Sequence, residues 1–534
     1  MKKYLFFFVF LITLPVAAQT DLVFVYFKDK PNKALFYANP TIELSQKSLN
    51  RRIALGIPLN DQDAPIEQSY LQNIQNLGFS ITDYSKWLNG VAVKATAAQI
   101  AQLETESYVA SVENFAKNTS IHKITKPKAK FEEFNKSMLT TYNYGSGAAQ
   151  IDQINLRNLH VAGYNGTGIT IAVIDTGFPT VDVGSAFSKI RENGQILGGY
   201  NFVTKNTDIY NTTLNGHGTI CLGAIAGYID GTFVGSAPEA SFYLYCSETT
   251  AVEIPEEEIY WIEAAEEADR KGVDLISSSL GYYVFDESKY DYSYADMTGQ
   301  KSFISRGAQI ATEKGIFVTV AMGNEAQTTW HYLITPADNA KVFSVGAVDI
   351  NGNSSTFSSY GPNYLGVIKP DGSTRGTATE TVYNNALTSA SGTSLATPVA
   401  AGGVACLLQA LPNSTSRTLV HEKLRKTASL YPNNTEQMGN GILNFGNALT
   451  SLLSTIELDA DSSLSIYPNP TKDFVTIKTK KIIGNVSIYD SLGRLIANNQ
   501  SKNNIVNFKG FAKGIYYLKI EIDKKVVVKK VIKE

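Results

Sequence analysis

Short apolar segments alternate with helical segments between residues 150 and 455, and this alternation limits the fold more than any other feature of the chain. The apolar segments predict strands at 169–174, 241–245, 274–278, 316–321 and 342–345. The patterns between them predict helices, among them 259–271 and 301–314. Strands that alternate with helices predict an α/β fold, with a parallel sheet and helices on both of its faces. Sheets of this class place their functional sites beyond the carboxyl ends of the strands.

Polar residues follow three of these predicted strands. Asp175 follows the first strand, and the tripeptide Ser-Leu-Gly at 279–281 follows the third. Asn324 comes shortly after the fourth strand. Because the carboxyl ends of parallel strands meet at one edge of a sheet, we expect these residues to lie close together.

A serine stands at the start of a buried, apolar helical segment. Ser394 lies in a Gly-Thr-Ser turn, and Pro398 favours a first helical turn, where the missing N–H of proline goes unused. The first N–H groups of a helix are unpaired and the dipole is positive there, so an oxyanion would be stabilised. Taken alone, such a triplet is more often an ordinary turn or a helix cap. The functional interpretation therefore depends on the rest of the chain.

Hydrolysis of an acyl bond by serine requires a hydroxyl, a base, an anion that orients the base, and donors for the oxyanion. Ser394 offers the hydroxyl, and His217, flanked by glycines at a predicted helix start, offers the base. Asp175 offers the anion, and the Asn324 amide and the backbone N–H of Ser394 offer the donors. Each residue alone also has an ordinary explanation as a turn or loop residue, but their conjunction favours catalysis. The sequence has no His-Glu-x-x-His or Cys-x-x-Cys spacing, which disfavours a zinc hydrolase.

Residues 1–18 have the pattern of a secretory signal peptide, with two lysines, an apolar run and a small-residue ending. We therefore expect an exported protein. No later stretch has roughly 18 unbroken apolar residues, so no membrane span is expected in the mature chain. Cys221, Cys246 and Cys406 lie in apolar segments and are expected to be buried thiols rather than a disulfide framework.

Smaller domains are expected on both sides of the sheet. Residues 22–115 combine strand and helix patterns, including a capping box at Thr96, and predict a small α/β domain. Residues 116–143 are rich in Lys, Thr, Ser and Asn and predict an exposed linker that proteases can reach. Residues 462–534 contain short alternating strands and predict a small β-sandwich. Residues 465–534 carry 14 Lys and Arg against 5 Asp and Glu, but the lysines alternate with apolar residues as on a solvated sheet face, which disfavours nucleic-acid binding.

At the candidate residues the chain resembles the subtilisin-like serine proteases. The segments around Asp175 (Asp-Thr-Gly), His217 (His-Gly-Thr) and Ser394 (Gly-Thr-Ser-Leu-Ala-Thr-Pro) are similar to the active-site signatures of that family. Asn324 matches the oxyanion asparagine of the family. The resemblance covers residues 150–455 and implies a seven-stranded parallel core and serine endopeptidase activity through an acyl-enzyme. It makes Ser394 the nucleophile, His217 the general acid and base, Asp175 the orienting group and Asn324 the oxyanion donor.

The resemblance also implies which residues line the substrate cleft, namely Ser279, Leu280, Gly281, Ala321, Met322 and Gly323. Met322 stands where the family often has a small residue, which predicts an altered primary pocket. The tyrosine-rich stretch 282–294 predicts an enlarged loop beside the cleft. No cofactor is implied for the chemistry. Structural calcium is an expectation from the family, without a complete ligand set that the sequence identifies.

By the same resemblance, residues 22–115 form a propeptide that assists folding and blocks the cleft until the chain is cut within 116–143. The C-terminal domain at 462–534, with Tyr-Pro-Asn-Pro at 467–470, resembles the sorting domains of type IX secretion. The implied partners are protein or peptide substrates, the propeptide as an intramolecular inhibitor, and the type IX secretion machinery. The implied location is outside the cell or on its surface. The alternative is a catalytically inactive, surface-displayed binding protein on the same scaffold.

Overall fold

The computed structural model describes residues 19–117, 142–459, 464–479, 482–490, 494–498, 501–502, 504–522 and 525–534. The predicted signal peptide and most of the predicted linker lie outside these ranges.

The N-terminal region is a small α/β unit, as predicted. Its elements are β1 (Asp21–Phe27), α1 (Lys33–Ala38), α2 (Gln46–Leu55), α3 (Gln68–Asn76), β2 (Asp83–Ser85), β3 (Gly90–Ala95), α4 (Ala97–Glu104) and β4 (Val109–Asn114). The strands form an antiparallel sheet in the order β2-β3-β1-β4. The predicted capping box is confirmed, because the Thr96 side chain accepts from the N–H of Gln99 and the Gln99 side chain accepts from the N–H of Thr96.

Helices α1 and α2 lie between residues 28 and 65, where the sequence analysis made no prediction. Local signals for α2 are nevertheless present. The Ser45 side chain caps its start by accepting from the N–H of Ser48, and Gly56 follows its end with a left-handed φ of 68°.

The central region contains the predicted parallel sheet, which has seven strands in the order β13-β12-β11-β10-β5-β9-β6. These strands are β5 (Thr170–Asp175), β6 (Ile196–Asn201), β9 (Ser241–Cys246), β10 (Leu275–Ser278), β11 (Phe317–Ala321), β12 (Phe343–Val348) and β13 (Gly372–Arg375). Short antiparallel pairs are formed by β7 (Tyr228–Ile229) with β8 (Phe233–Val234) and by β14 (Thr379–Tyr383) with β15 (Ala386–Ala390). The helices are α5 (Ala148–Gln153), α6 (Arg157–Val161), α7 (Ser188–Glu192), α8 (His217–Ala226), α9 (Glu256–Lys271), α10 (Phe303–Glu313), α11 (Thr393–Ala410), α12 (Arg417–Thr427) and α13 (Phe445–Asp459).

Strand β5 shows why the central strands appear in the sequence as apolar segments. Ile171 and Val173 belong to the apolar core that α8 and α11 share, whereas Ala172 and Ile174 belong to the core beneath α9 and α10. A strand that is buried on both faces is apolar at every position, as expected for a parallel sheet covered by helices. The two edge strands, β6 and β13, are more polar or glycine-containing and were not predicted.

Helix α11 is the central helix of the fold, and its residues 393–408 are buried. Within the described part of the chain it is the helix long and apolar enough to cross a membrane, but 89% of its 18-residue window is buried inside the protein. Pro398 is the sixth residue of α11, so the expectation that it lies in the first turn is wrong. Its missing N–H leaves the carbonyl of Ser394, four residues earlier, without a helical donor.

The C-terminal region forms two four-stranded sheets around an apolar core, which confirms the predicted β-sandwich. The strands are β16 (Ser465–Tyr467), β17 (Phe474–Lys478), β18 (Ile483–Asp490), β19 (Leu495–Ala497), β20 (Ser501–Lys502), β21 (Ile505–Asn507), β22 (Gly514–Ile522) and β23 (Lys525–Lys533). The apolar pattern at 466–480 predicts a single strand, but this stretch forms two strands, β16 and β17. Pro468 and Pro470 lie between them and have no N–H for a ladder.

A substitution at Gly402 would test how closely α11 is packed. A methyl group at this position would lie 2.0 Å from Ser236 Oγ, which bridges the carbonyls of Ala224 and Pro398. We expect Gly402→Ala to lower the free energy of unfolding by about 1–3 kcal/mol, measured by urea unfolding in a Ser394→Ala background. The control is Gly446→Ala in α13, where the nearest atoms are amide ends of Asn155 and Asn158 at 3.2 Å. A Gly402→Ala protein as stable as its parent would contradict this packing.

Candidate active site

The predicted residues meet at the carboxyl edge of the central sheet. Asp175 is the last residue of β5, and its side chain has no exposed surface. In the sheet, β10 lies beside β5, and β11 lies beside β10. Ser279 comes directly after β10, and Asn324 comes three residues after β11. The strand order therefore collects side chains that are distant in the sequence.

His217 is the first residue of α8, and its ring faces Asp175. The distance between His217 Nδ1 and Asp175 Oδ1 is 2.7 Å. The approach of α8 to β5 depends on Gly218, because a methyl group there would lie 2.4 Å from the carbonyl oxygen of Gly177 and 3.0 Å from Asp175 Cβ. A glycine after the histidine is thus a steric requirement of this hydrogen bond.

The electrostatic setting fixes the role of each ring nitrogen. Partial burial of the His217 ring disfavours the imidazolium, but the charge of Asp175 and its hydrogen bond outweigh this effect and raise the pKa of His217 well above its ordinary value. Asp175 Oδ1 also accepts from the N–H of Thr176 at 2.8 Å. Because a carboxylate only accepts, Nδ1 of His217 carries the proton and Nε2 is left as the basic nitrogen.

Ser394 is the second residue of α11 and is 8% exposed. Its hydroxyl and the Asn324 amide border the same space above Gly392, where an added methyl group would lie 2.6 Å from Ser394 Oγ and 3.7 Å from Asn324 Nδ2. Asn324 Oδ1 accepts from the backbone N–H of Thr393 at 2.8 Å. This bond holds the amide with its NH₂ group available, which an oxyanion beside Ser394 requires.

Cys221 connects the histidine helix to the serine helix, and the sequence analysis gave it no role beyond a buried thiol. Its Sγ lies 3.7 Å from His217 Nδ1 and donates to the carbonyl of Ser394 at 3.3 Å. The spacing of four residues on α8, which places Cys221 and His217 on one helix face, is the signal that could have found it. The three cysteines are free and buried, as predicted.

The carbonyl of Ser394 is held by side chains instead of by the helix. Pro398 cannot donate to it, and the hydroxyl of Ser279 donates instead at 2.8 Å, together with the thiol of Cys221. A residue expected as a cleft wall is therefore also bonded to the residue that carries the candidate nucleophile.

The remaining predicted cleft residues differ in exposure. Leu280 is 8% exposed, and Gly281 packs on the carbonyl of Thr335, where an added methyl group would lie at 2.4 Å. Ala321 and Met322 are buried, and Met322 packs in the core beneath α9 and α10. The structure therefore does not bring the Met322 side chain to the surface of the cleft. Gly323, with a φ of +103°, turns the chain from this buried methionine to the exposed Asn324.

The tyrosine-rich stretch 282–294 is a packed aromatic loop. Three of its tyrosines donate hydrogen bonds to glutamates, in the pairs Tyr282–Glu248, Tyr283–Glu325 and Tyr292–Glu258. These bonds tie the loop to the segment after β9, to α9 and to the residue after Asn324.

Two groups in the described residues have the side-chain types of a metal site, and only the second consists of the carboxylates that calcium prefers. Asp175, His217 and Cys221 form the first group, in which the carboxylate and the imidazole bond each other. Glu248, Glu253 and Glu257 form the second. There the oxygens of Glu257 accept from the backbone N–H groups of Thr249 and Ile254, and Glu248 accepts from a tyrosine.

Family models match three parts of the chain. The model described as the subtilase family matches residues 166–445, and that of the peptidase S8 propeptide domain of Bacteroidota matches residues 22–132. The model described as the secretion system C-terminal sorting domain matches residues 465–534, which confirms the expected export and type IX sorting.

Characterised proteins match the central region. Subtilisin DY of Bacillus licheniformis is 31% identical over 299 residues, covering 54% of this chain and 92% of that protein. Serine protease AprX of Bacillus subtilis (strain 168) is 30% identical over 311 residues, covering 52% of this chain and 64% of that protein. Subtilisin Savinase of Lederbergia lenta is 28% identical over 299 residues, covering 55% and 95%. Because the subtilase match spans more than half of the chain, this protein belongs to the subtilase family of serine-type endopeptidases, with an N-terminal propeptide domain and a C-terminal secretion sorting domain.

Proposed function

We propose that this secreted protein hydrolyses peptide bonds in proteins or peptides through Asp175, His217 and Ser394. The observation that carries the proposal is the 2.7 Å hydrogen bond between His217 and the buried Asp175, at the sheet edge that also holds Ser394 and Asn324. An inactive scaffold would have no need of a buried carboxylate bonded to a partly exposed imidazole.

In the proposed mechanism His217 Nε2 takes the proton of Ser394 as its Oγ attacks the substrate carbonyl carbon. Asp175 stabilises the imidazolium through Nδ1. His217 then protonates the leaving amine, and an acyl-enzyme remains on Ser394. A water molecule, deprotonated by His217, attacks the acyl carbon and releases the acid and free Ser394.

The tetrahedral oxyanion is stabilised by two donors. One is Asn324 Nδ2, whose orientation is set by the bond from the N–H of Thr393 to Asn324 Oδ1. The other is the backbone N–H of Ser394, which has no hydrogen-bond partner within the described part of the chain, because the first N–H groups of a helix have no carbonyl four residues earlier. The positive end of the α11 dipole favours the same charge.

Ser279 acts as a positioning residue for Ser394. Its hydroxyl supplies the hydrogen bond that Pro398 cannot, and so fixes the peptide unit that carries the nucleophile. In the same proposal, the propeptide blocks the cleft until it is removed, and the C-terminal domain is recognised by the type IX secretion machinery.

Replacing the proposed nucleophile should abolish catalysis. The variants are compared after an added protease has cut the linker. We expect Ser394→Ala to lower kcat by about 10⁶-fold and Asn324→Ala to lower it by about 10²–10³-fold. These sizes are the ones known for subtilisin, a relative. A peptide substrate gives kcat, and a fluorophosphonate probe should label the parent at Ser394. Failure of the probe to label correctly cut parent protein would favour the inactive binding protein.

The pH dependence should report the Asp175–His217 pair. Because only neutral His217 is a base, kcat/KM should fall tenfold per pH unit below its pKa, which lies above the ordinary 6.5. Asp175→Asn removes the charge that raises this pKa, so the acid limb should move to lower pH, and kcat should drop by about 10⁴. An unchanged acid limb in Asp175→Asn would contradict the pairing.

The positioning role of Ser279 predicts a selective loss of kcat. Ser279→Ala removes one hydrogen bond, so kcat should fall about tenfold, while KM changes less. A tenfold fall corresponds to a rise of roughly 1.4 kcal/mol in the activation free energy. Ser279→Thr keeps the hydroxyl and should restore the rate. The matched control is Ser277→Ala in β10, because the Ser277 hydroxyl is buried and has no hydrogen-bond partner among the described residues. Equal kcat values for Ser279→Ala and Ser277→Ala would exclude the role.

A further inference from the structure

We propose that residues 28–66, here called the arm, anchor the propeptide to the catalytic domain at the end of the sheet opposite the candidate active site. The surface at that end of the catalytic domain is bound by a segment of the same chain, and the arm keeps the propeptide bound after the linker has been cut. The inference goes beyond the proposed peptidase activity and rests only on the propeptide being a separate, removable domain.

The arm contacts the amino-terminal ends of the central strands. Lys47 pairs with Asp274, the residue before β10, at 3.1 Å, and it also donates to Thr170, the first residue of β5. The N–H of Ser45 donates to the carbonyl of Arg270 near the end of α9 at 2.9 Å. Strand β5 separates these contacts from Asp175 by about 17 Å, since a strand rises roughly 3.3 Å per residue. The arm therefore binds away from the catalytic residues.

A buried ion cluster joins the arm to the catalytic domain. Arg51 and Arg52 of the arm both pair with Asp269 of α9, the latter at 2.6 Å. Asp63 of the arm pairs with Lys314, which follows α10, at 2.9 Å, and with Arg52 at 2.9 Å. The exposed fraction of each of these five side chains is 4% or less. Loss of one partner from such a cluster leaves a buried charge uncompensated, which weakens binding strongly.

Shape complementarity supports the same surface independently. Gly272, after α9, has a left-handed φ, and a methyl group there would lie 2.6 Å from the backbone nitrogen of Ser48 in α2. Gly315, after α10, has the same handedness, and a methyl group there would lie 2.6 Å from Leu55 Cδ1. Two glycines that end neighbouring elements thus leave room for α2. The arm therefore packs closely against the catalytic domain and also forms ion pairs with it.

The rest of the propeptide is held at a second place, on the outer faces of α9 and α10. Glu266 accepts from the N–H groups of Lys86 and Trp87 at 3.2 and 3.0 Å, and Arg306 of α10 pairs with Glu113 at 2.8 Å. These contacts, like those of the arm, do not use Asp175, His217 or Ser394. Clearing the cleft would therefore leave the propeptide attached at both places, and the arm would slow its release further.

The test uses the full chain with Ser394→Ala, so that the propeptide is not digested, and with a specific protease site inserted between residues 118 and 141. After cutting, size-exclusion chromatography and stopped-flow fluorescence of a labelled propeptide measure its dissociation from the catalytic domain. We expect the parent propeptide to co-elute. We expect the Arg51→Ala/Arg52→Ala variant to dissociate about 10²–10³-fold faster.

Two further variants make the result specific. Lys33→Ala removes a partly exposed pair with Asp61 inside the arm and should leave dissociation unchanged. Lys47→Ala changes a partly exposed side chain at the interface, so the arm should remain folded, and dissociation should be about two- to fivefold faster. Because the assay measures release from a protein without the serine, it is independent of peptidase activity. The anchor would be overturned if the double arginine variant and Lys47→Ala both dissociated at the parental rate. It would also be overturned if the parent released its propeptide immediately.

Discussion

The burial of Asp175 is the constraint on which the arrangement of the site depends. A carboxylate without exposed surface at the end of β5 must be compensated, and the N–H of Thr176 and the imidazole of His217 both bond its Oδ1. Its Oδ2 is buried and has no hydrogen-bond partner among the described residues. The imidazole can reach Asp175 only because Gly218 lets α8 approach the strand. The same interaction raises the pKa of His217 and fixes its tautomer, so a requirement of folding also prepares the proposed base.

Helix α11 shows a second link between stability and chemistry. It is buried almost throughout, so its first turn is held rigidly at the carboxyl edge of the sheet. Pro398 interrupts its hydrogen bonds at the carbonyl of Ser394, and two side chains replace the missing donor: Ser279, directly after β10, and Cys221, in α8. Three elements therefore converge on one peptide unit. Tertiary bonds of this kind position a nucleophile more narrowly than helical bonds alone, because each comes from an independently packed element.

The flanking regions differ in how they relate to the catalytic domain. The N-terminal region contributes buried charges, including Arg51 and Arg52, to an interface with Asp269, and such charges stay compensated only while both partners are present. The N-terminal region has an apolar core of its own and also contributes residues such as Phe24 and Trp87 to the core beneath α9 and α10. The core of the C-terminal sandwich, which includes Val475, Ile488 and Leu518, consists of its own residues. A propeptide must be removable and a sorting domain must be recognised by other proteins, and these different contacts suit the two roles.

The sequence by itself determined the elements that are buried on both faces, such as β5, because complete burial produces an apolar run. Its short motifs singled out Asp175, His217, Asn324 and Ser394 as candidate catalytic residues. It did not reveal β6 or β13, whose edge positions tolerate polar residues and glycine, or the arm helices. Only the tertiary structure decided that Pro398 lies in the second turn, that Met322 belongs to the core, and that Cys221 lies against Ser394. The physical reason is that local patterns record burial and backbone preference, whereas partners between distant segments are set by how the strands order and the helices pack.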